Sequence, residues 1–160
     1  MTQIEFRQAE LDDATRLNAA LRRLSETMGD SHLASGTDLA RAAFGPVPAF
    51  YAVLAEVDGA LVGVAVYSPF YSTIRAAAGA YVSDLWVDDT MRGQGLGPRL
   101  LAAVRDRAKV QWDAGFLRLA VYEDNPRAVA FYTRLGFAPM PGDIYMTLEG
   151  KALGAVGAQQ

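Results

Sequence analysis

Arg92-Gly93-Gln94-Gly95-Leu96-Gly97 sets three glycines and a cation between a segment of strand composition and a segment of helical periodicity. Glycine reaches positive φ and has no Cβ, so a ligand can come close to its backbone N–H. The first N–H groups of a helix lack intrahelical partners and carry partial positive charge. A glycine-rich start to a helix therefore aims several donors at an anion. A diphosphate suits such a loop, although the same glycines also serve an ordinary strand-to-helix turn. Two known phosphate loops do not fit. Gly-x-Gly-x-x-Gly counted from Gly93 ends on Pro98, and counted from Gly95 it ends on Leu100. A Walker loop needs Gly-Lys-Ser/Thr, whereas Gly97 is followed by Pro98 and Arg99.

Working outward, Tyr81 to Val87 is short, apolar and aromatic, which reads as a strand, and Asp88-Asp89-Thr90 supplies turn chemistry. Downstream, Leu96, Leu100, Val104 and Ala108 recur every four residues, Leu101 widens the stripe, and Gly115 ends the helix. Pro98 is tolerated in a first turn, where no N–H is needed. Before the loop, Ile4 to Arg7 reads as a strand. Leu17, Leu21, Leu24 and Met28 follow on one side of a helix that starts after Asp12-Asp13. Thr37-Asp38 caps a short helix through Phe44, in an irregular segment placed to face a substrate. Phe50 to Val57 and Leu61 to Tyr67 flank Asp58-Gly59, a hairpin signal. Ser68 to Gly79 reads as a loop and Ala80 to Val87 as the third antiparallel strand. After the long helix, Phe116 to Val121 reads as a strand that pairs in parallel with the strand before the helix, because a helical crossover intervenes. Asn125-Pro126 starts another helix as cap and first residue. Ala128, Phe131, Tyr132 and Leu135 share one face, Gly136 is a left-handed stop, and Ile144 to Leu148 reads as a final strand.

Composition bounds the chemistry. The chain has 160 residues, 51% hydrophobic and 21% charged, which suits one domain over 1–149 with a frayed tail over 150–160. A net charge of -3 with pI near 5.1 argues against a broad nucleic-acid or anionic-membrane surface and favours a cationic substrate. No cysteine means no thiolate nucleophile or disulfide, and His32 alone cannot build a histidine metal site. The N-terminal residues lack a basic-then-apolar leader pattern, and Glu56 and Asp58 interrupt the apolar stretch from Ala49 to Val66. The expectation is a cytoplasmic enzyme without a metal, acting on a small molecule; a homodimer is left open.

The order of these elements resembles the GNAT superfamily of N-acetyltransferases. The likeness runs from Tyr51 to Leu148 in organisation and is carried by motifs between Val82 and Phe137. Val87-Asp88-Asp89-Thr90-Met91-Arg92-Gly93-Gln94-Gly95-Leu96-Gly97 is similar to the family's acetyl-CoA motif. Asn125, Phe131, Tyr132 and Leu135-Gly136-Phe137 are similar to its C-terminal motif. The resemblance implies an α/β fold of the α+β type. Its mixed, mostly antiparallel sheet would have about 6–7 strands and about four flanking helices, with the fourth and fifth strands splayed apart. It also implies that Leu85, Trp86 and Val87 offer backbone contacts to the arm of acetyl-CoA, that Arg92, Gly93, Gln94, Gly95, Leu96 and Gly97, with Pro98 and Arg99, wrap the diphosphate, and that Asn125 and Tyr132 adjoin the cofactor.

Amine acylation needs a neutral amine, a stabilised oxyanion and a protonated leaving thiol. A backbone N–H near Val87 can serve the oxyanion. Tyr132 is the family-matched acid, with a core residue beside Phe131 and Leu135 as the alternative. Asn125 can cap its helix, contact the cofactor, or both. Asp84 is the first candidate for base or cation anchor, with a solvated strand carboxylate as the alternative; Glu56, Tyr122, Glu123 and His32 are weaker candidates. Phe70-Tyr71-Ser72-Thr73 and Ala80 to Val87 resemble the polyamine and thialysine acetyltransferase branch. This chain departs from it at Ser83, where that branch has Glu, and at Ile74, where it has an aromatic residue. The expected reaction is acetyl transfer from acetyl-CoA to a small primary amine by direct attack in a ternary complex. A non-catalytic acyl-CoA-binding module and a protein or peptide N-acetyltransferase are the alternatives.

Overall fold

In the computed structural model, residues 3–158 are described; Met1, Thr2, Gln159 and Gln160, the outermost residues of the domain and tail read above, lie outside them. The chain divides into two compact units, Met1–Tyr122 and Glu123–Gln160.

The first unit is built on a five-stranded sheet in the order β1 (Glu5–Gln8), β2 (Tyr51–Val57), β3 (Ala60–Ser72), β4 (Ala77–Val87) and β5 (Phe116–Leu119). The first four strands pair antiparallel and β5 joins β4 in parallel, as the helical crossover requires. Asp58 and Gly59 both take positive φ, 49° and 79°, so the β2–β3 connection is the two-residue primed turn that its sequence favours.

Helices α1 (Ala14–Met28) and α2 (Gly36–Phe44) cover one face, where Leu17, Ala20, Leu21 and Leu39 pack with Leu54, Val64, Val66 and Trp86. Helix α3 (Leu96–Trp112) covers the other. Its predicted stripe of Leu96, Leu100, Leu101, Val104 and Ala108 is buried throughout. Each such large apolar side chain contributes about 1.5–3 kcal/mol by burial. Gly63 lies beneath it, where an added Cβ would come within 2.9 Å of Leu100 Cδ1 and 3.2 Å of Leu96 Cδ2.

Several boundaries differ from the sequence reading. Five strands are formed among the described residues, fewer than the six or seven implied. Ile144 to Leu148 is not a strand: Ile144, Tyr145 and Met146 are 81%, 75% and 86% exposed. Strand composition without a paired neighbour does not make a strand. Residues 68–79 are not a loop. Strand β3 continues to Ser72 and β4 starts at Ala77, because Phe70 pairs with Gly79 and packs edge-on against Phe116 at 5.1 Å. Helix α3 is closed by left-handed Asp113 (φ 57°) rather than by Gly115, whose N–H donates to the Ala78 carbonyl at 2.8 Å. Helix α2 is capped one residue before its first turn by Ser35, whose Oγ accepts from Asp38 N at 3.2 Å.

A charged cluster fixes the start of α1 to the β1–β2 end of the sheet. Arg7 donates to Asp13 at 2.7 and 2.8 Å and to Glu56 at 2.8 Å, while Arg16 donates to Asp13 at 2.6 Å and also to Glu56. The Arg7 hydrogen bonds, with further donors from Glu10 N–H and Arg16, hold the Asp13 carboxyl well below the ordinary range; Arg7 and then Arg16 hold Glu56 below it as well. The unfolded chain therefore binds more protons than the folded one. The stabilisation is complete above the ordinary carboxylate value and is lost as pH falls through the lowered ones.

Two outcomes follow. Asp13→Asn should cost roughly 2–4 kcal/mol at neutral pH by leaving Arg7 short of its partner. It should also flatten the loss of stability that the parent protein shows below about pH 5; urea unfolding across pH checks both. Gly79→Ala would bring a Cβ to 2.6 Å from Phe116 Cζ and 2.7 Å from its Cε2. Because Phe70, Arg75 and Arg118 hold that ring in place, the expected cost is about 1–3 kcal/mol by the same assay.

Candidate active site

Parallel pairing of β4 with β5 covers Gly79 to Val82 against Phe116 to Leu119. Among the described residues, Asp84 to Val87 of β4 pair with β3 alone. Asp88 N–H donates to the Val62 carbonyl at 2.9 Å, on the β3 side. Backbone groups alternate sides along a strand, so Trp86 and Asp84 also pair with β3, while Leu85 and Val87 turn N–H and C=O toward the open edge. This corrects one expectation: Trp86 offers no backbone group to that edge, and its side chain is core, 5% exposed.

The edge opens at a bulge. Val66 pairs with Asp84 but Tyr67 pairs with Val82, leaving Ser83 as the extra residue. Because Asp84 shares the register of Val66, its side chain lies on the α1/α2 face with Trp86. Ser83 Oγ donates to Asp84 Oδ2 at 2.8 Å.

Beyond Val87, Asp88 caps a 3-10 turn over Asp89–Met91 by accepting from Thr90 N at 3.0 Å. Gly93 and Gly95 then take left-handed φ of 75° and 74°, which side chains disfavour, and nothing lies within 4 Å of a Cβ at either position. Gly95 precedes the first residue of α3, so the helix starts on the loop and its first N–H groups, those of Leu96 and Gly97, point out of the helix. Gln94 Nε2 bridges the loop to the Thr90 carbonyl at 2.8 Å, and Arg92 pairs with Asp89 at 2.8 Å on the surface. Leu96 contributes only backbone, since its side chain is buried. Pro98 occupies the first turn of α3, and the Arg99 guanidinium lies over Phe6, 4.9 Å from the ring centre.

On the α1/α2 face, His32 is held 2.8 Å from Asn18 Oδ1 and 3.1 Å from Ser25 Oγ. Tyr122, just past β5, donates to Asp30 at 2.9 Å. Glu56 lies in the Arg7–Arg16 cluster at the far end of β2, so its charge is already matched and it is not available as a base. Phe70 and Tyr71 belong to the hairpin at the start of β4; Leu85 lies six positions beyond Gly79, or about 20 Å along the strand.

The second unit carries the remaining candidates. Helix α4 (Pro126–Arg134) is capped by Asn125, whose Oδ1 accepts from Ala128 N at 3.1 Å, with Pro126 as its first residue. Gly136 is left-handed at φ 96°, and Phe137 N–H donates to the Tyr132 carbonyl at 3.0 Å, closing the helix as read. The Tyr132 ring packs edge-on between Phe131 at 4.9 Å and Phe137 at 5.5 Å, and burial pushes its phenol above the ordinary value. Glu123 is exposed, and a short helix α5 spans Gly150–Ala155.

The sequence reading missed Arg23 on α1. It pairs with Asp88 across 65 positions, a relation that no local pattern signals. Ser83 as a bulge was equally invisible, because a bulge exists only relative to a partner strand.

Residues 17–137 match the model of the acetyltransferase (GNAT) family. The thialysine N-epsilon-acetyltransferase of Bos taurus is 31% identical over 148 residues, covering 85% of this chain and 85% of its own. The spermine/spermidine N(1)-acetyltransferase of Bacillus subtilis is 28% identical over 82 residues, 50% of this chain and 54% of its own. Among solved structures, an aminoglycoside N-acetyltransferase in complex with CoA matches with a TM-score of 0.73 at 18% identity, covering 92% of this chain and 95% of its own. With its family model, its mixed sheet and its glycine loop in agreement, the chain belongs to the GNAT family and is an N-acetyltransferase.

Proposed function

We propose that this protein transfers the acetyl group of acetyl-CoA to the primary amine of a small molecule, by direct attack in a ternary complex. The observation that carries the reading is the open edge of β4 running straight into a glycine loop at a helix start. An acyl-CoA arm contains amides that can pair with Leu85 and Val87, and its diphosphate suits the N–H groups around Gly93, Gly95, Leu96 and Gly97. The free space at both left-handed glycines fits a ligand lying against the backbone. On this reading residues 1–149 act as one transferase domain, with Arg92 and Arg99 contributing positive charge near the phosphates and Asn125 contacting the arm.

Each chemical demand then has a residue. Asp84, beside the open edge, takes the proton from the ammonium form of the substrate, or anchors its charge while a water does so. Val87 N–H donates to the thioester carbonyl oxygen as the amine nitrogen bonds to its carbon and negative charge gathers on that oxygen. When the C–S bond breaks, Tyr132 gives its phenolic proton to the departing sulfur, and the proton that the acylated nitrogen loses restores the phenol by way of solvent; the likeness to the family's C-terminal motif supports this role. Burial raises the Tyr132 value above that of a free phenol, which favours the protonated form that an acid needs. The relatives are named for thialysine and for spermine or spermidine, each of which ends an alkyl chain in a primary amine. Such an acceptor, cationic before reaction, agrees with the net charge of -3.

Isothermal titration should show saturable acetyl-CoA binding, and a thiol-release assay should show sustained CoA production with diamines or lysine-like amines. No binding would refute the reading. Turnover on peptides alone would move the substrate from small molecules to proteins. Tyr132→Phe should lower kcat by about 10²-fold with acetyl-CoA affinity retained; unchanged turnover, with the chemical step rate-limiting, would leave Tyr132 as packing.

A further inference from the structure

Trp86 and Asp88 flank Val87, and one side chain from another element holds both. The Arg23 guanidinium carbon sits 5.1 Å from the centre of the Trp86 ring, and its Nη1 lies 3.0 Å from Asp88 Oδ2. Asp88 is committed on every side. Its N–H goes to the Val62 carbonyl, and its Oδ1 accepts from Thr90 N at 3.0 Å and from Thr90 Oγ1 at 2.7 Å. The Thr90 carbonyl in turn accepts from Gln94 Nε2 at 2.8 Å, between the two left-handed glycines. A continuous path of contacts thus runs from α1 through Arg23, Asp88 and Thr90 to Gln94.

We propose that Arg23 is a positioning residue for the acyl-CoA donor. By fixing Trp86 and Asp88 on either side of Val87, it holds the Val87 N–H and the turn leading into Gly93 and Gly95 in the geometry that binds the thioester arm and diphosphate. This rests on the acyl-CoA reading above. Arg23 is itself half exposed, with a side-chain exposure of 54%, so its ion pair adds little to global stability. Its partners are not surface groups: Asp88 is 17% exposed and Trp86 is core. A planar guanidinium can lie over the indole and bond the carboxylate at once, whereas a lysine ammonium can do only one of these well. The start of α1 is fixed by the Arg7–Asp13–Arg16–Glu56 cluster, so the helix carrying Arg23 is anchored independently of the loop that it steadies.

The test is a set of variants assayed by titration calorimetry with acetyl-CoA and by steady-state kinetics with an accepted amine. Arg23→Ala should raise the acetyl-CoA Kd and KM about three- to ten-fold and lower kcat by a similar factor, because the Val87 N–H also serves the oxyanion, with the amine KM little changed. Arg23→Lys should recover part of the loss. In an Asp88→Asn background, Arg23→Ala should add little, because the path is already broken. Unchanged acetyl-CoA affinity in Arg23→Ala, or full additivity with Asp88→Asn, overturns the assignment while leaving the acetyltransferase reading intact. Absence of acetyl-CoA binding by the parent protein overturns both.

Discussion

The structure of the site depends on where β4 stops pairing with β5. A backbone N–H or C=O needs a partner, and beyond Val82 the strand pairs with no further strand on that side among the described residues. Leu85 and Val87 are therefore left with donors and acceptors in a row at strand spacing. The Ser83 bulge coincides with this point and does two things. It ends the regular ladder, and by inserting one residue it sets Asp84 on the α1/α2 face, because a one-residue shift exchanges the faces of every residue that follows. Without it Asp84 would point toward α3 instead of sharing the face of Trp86.

An unpaired edge is useful only if it holds its shape. Buried packing supplies that on both faces: α3 lies over Gly63 and the small residues of β2 and β3, and Trp86 is locked into the core beneath α1. The ion cluster of Arg7, Asp13, Arg16 and Glu56 fixes the opposite corner of the sheet. Its charges are spent on each other, so Glu56 serves the fold rather than the chemistry. The glycine loop has a different requirement. Gly93 and Gly95 adopt a conformation that side chains resist, and the space beside them stays open. Backbone freedom and ligand access are met by the same two residues.

Much of this was legible in the sequence wherever local rules govern. Asp58-Gly59 announced its turn, the four-residue stripe announced α3, and Asn125, Pro126 and Gly136 marked both ends of α4, since caps and turns depend on residues a few positions apart. What depends on a distant partner was hidden. Ser68 to Gly79 read as a loop, yet Phe70 finds Phe116 and the hairpin extends. Ile144 to Leu148 has a strand's composition but stays exposed. The hydrogen-bond direction at Trp86, the bulge at Ser83 and the reach of Arg23 to Asp88 follow from pairing register and tertiary approach, which spacing along the chain does not encode.

The central claim is that Leu85 and Val87 present the backbone groups that pair with an acyl-CoA arm. Amide hydrogen exchange resolved by residue, with and without saturating CoA, tests it most directly. The account expects Leu85 and Val87 to gain protection while Trp86, already bonded to β3, changes little. Saturation by CoA with no gain at Leu85 or Val87 would contradict it.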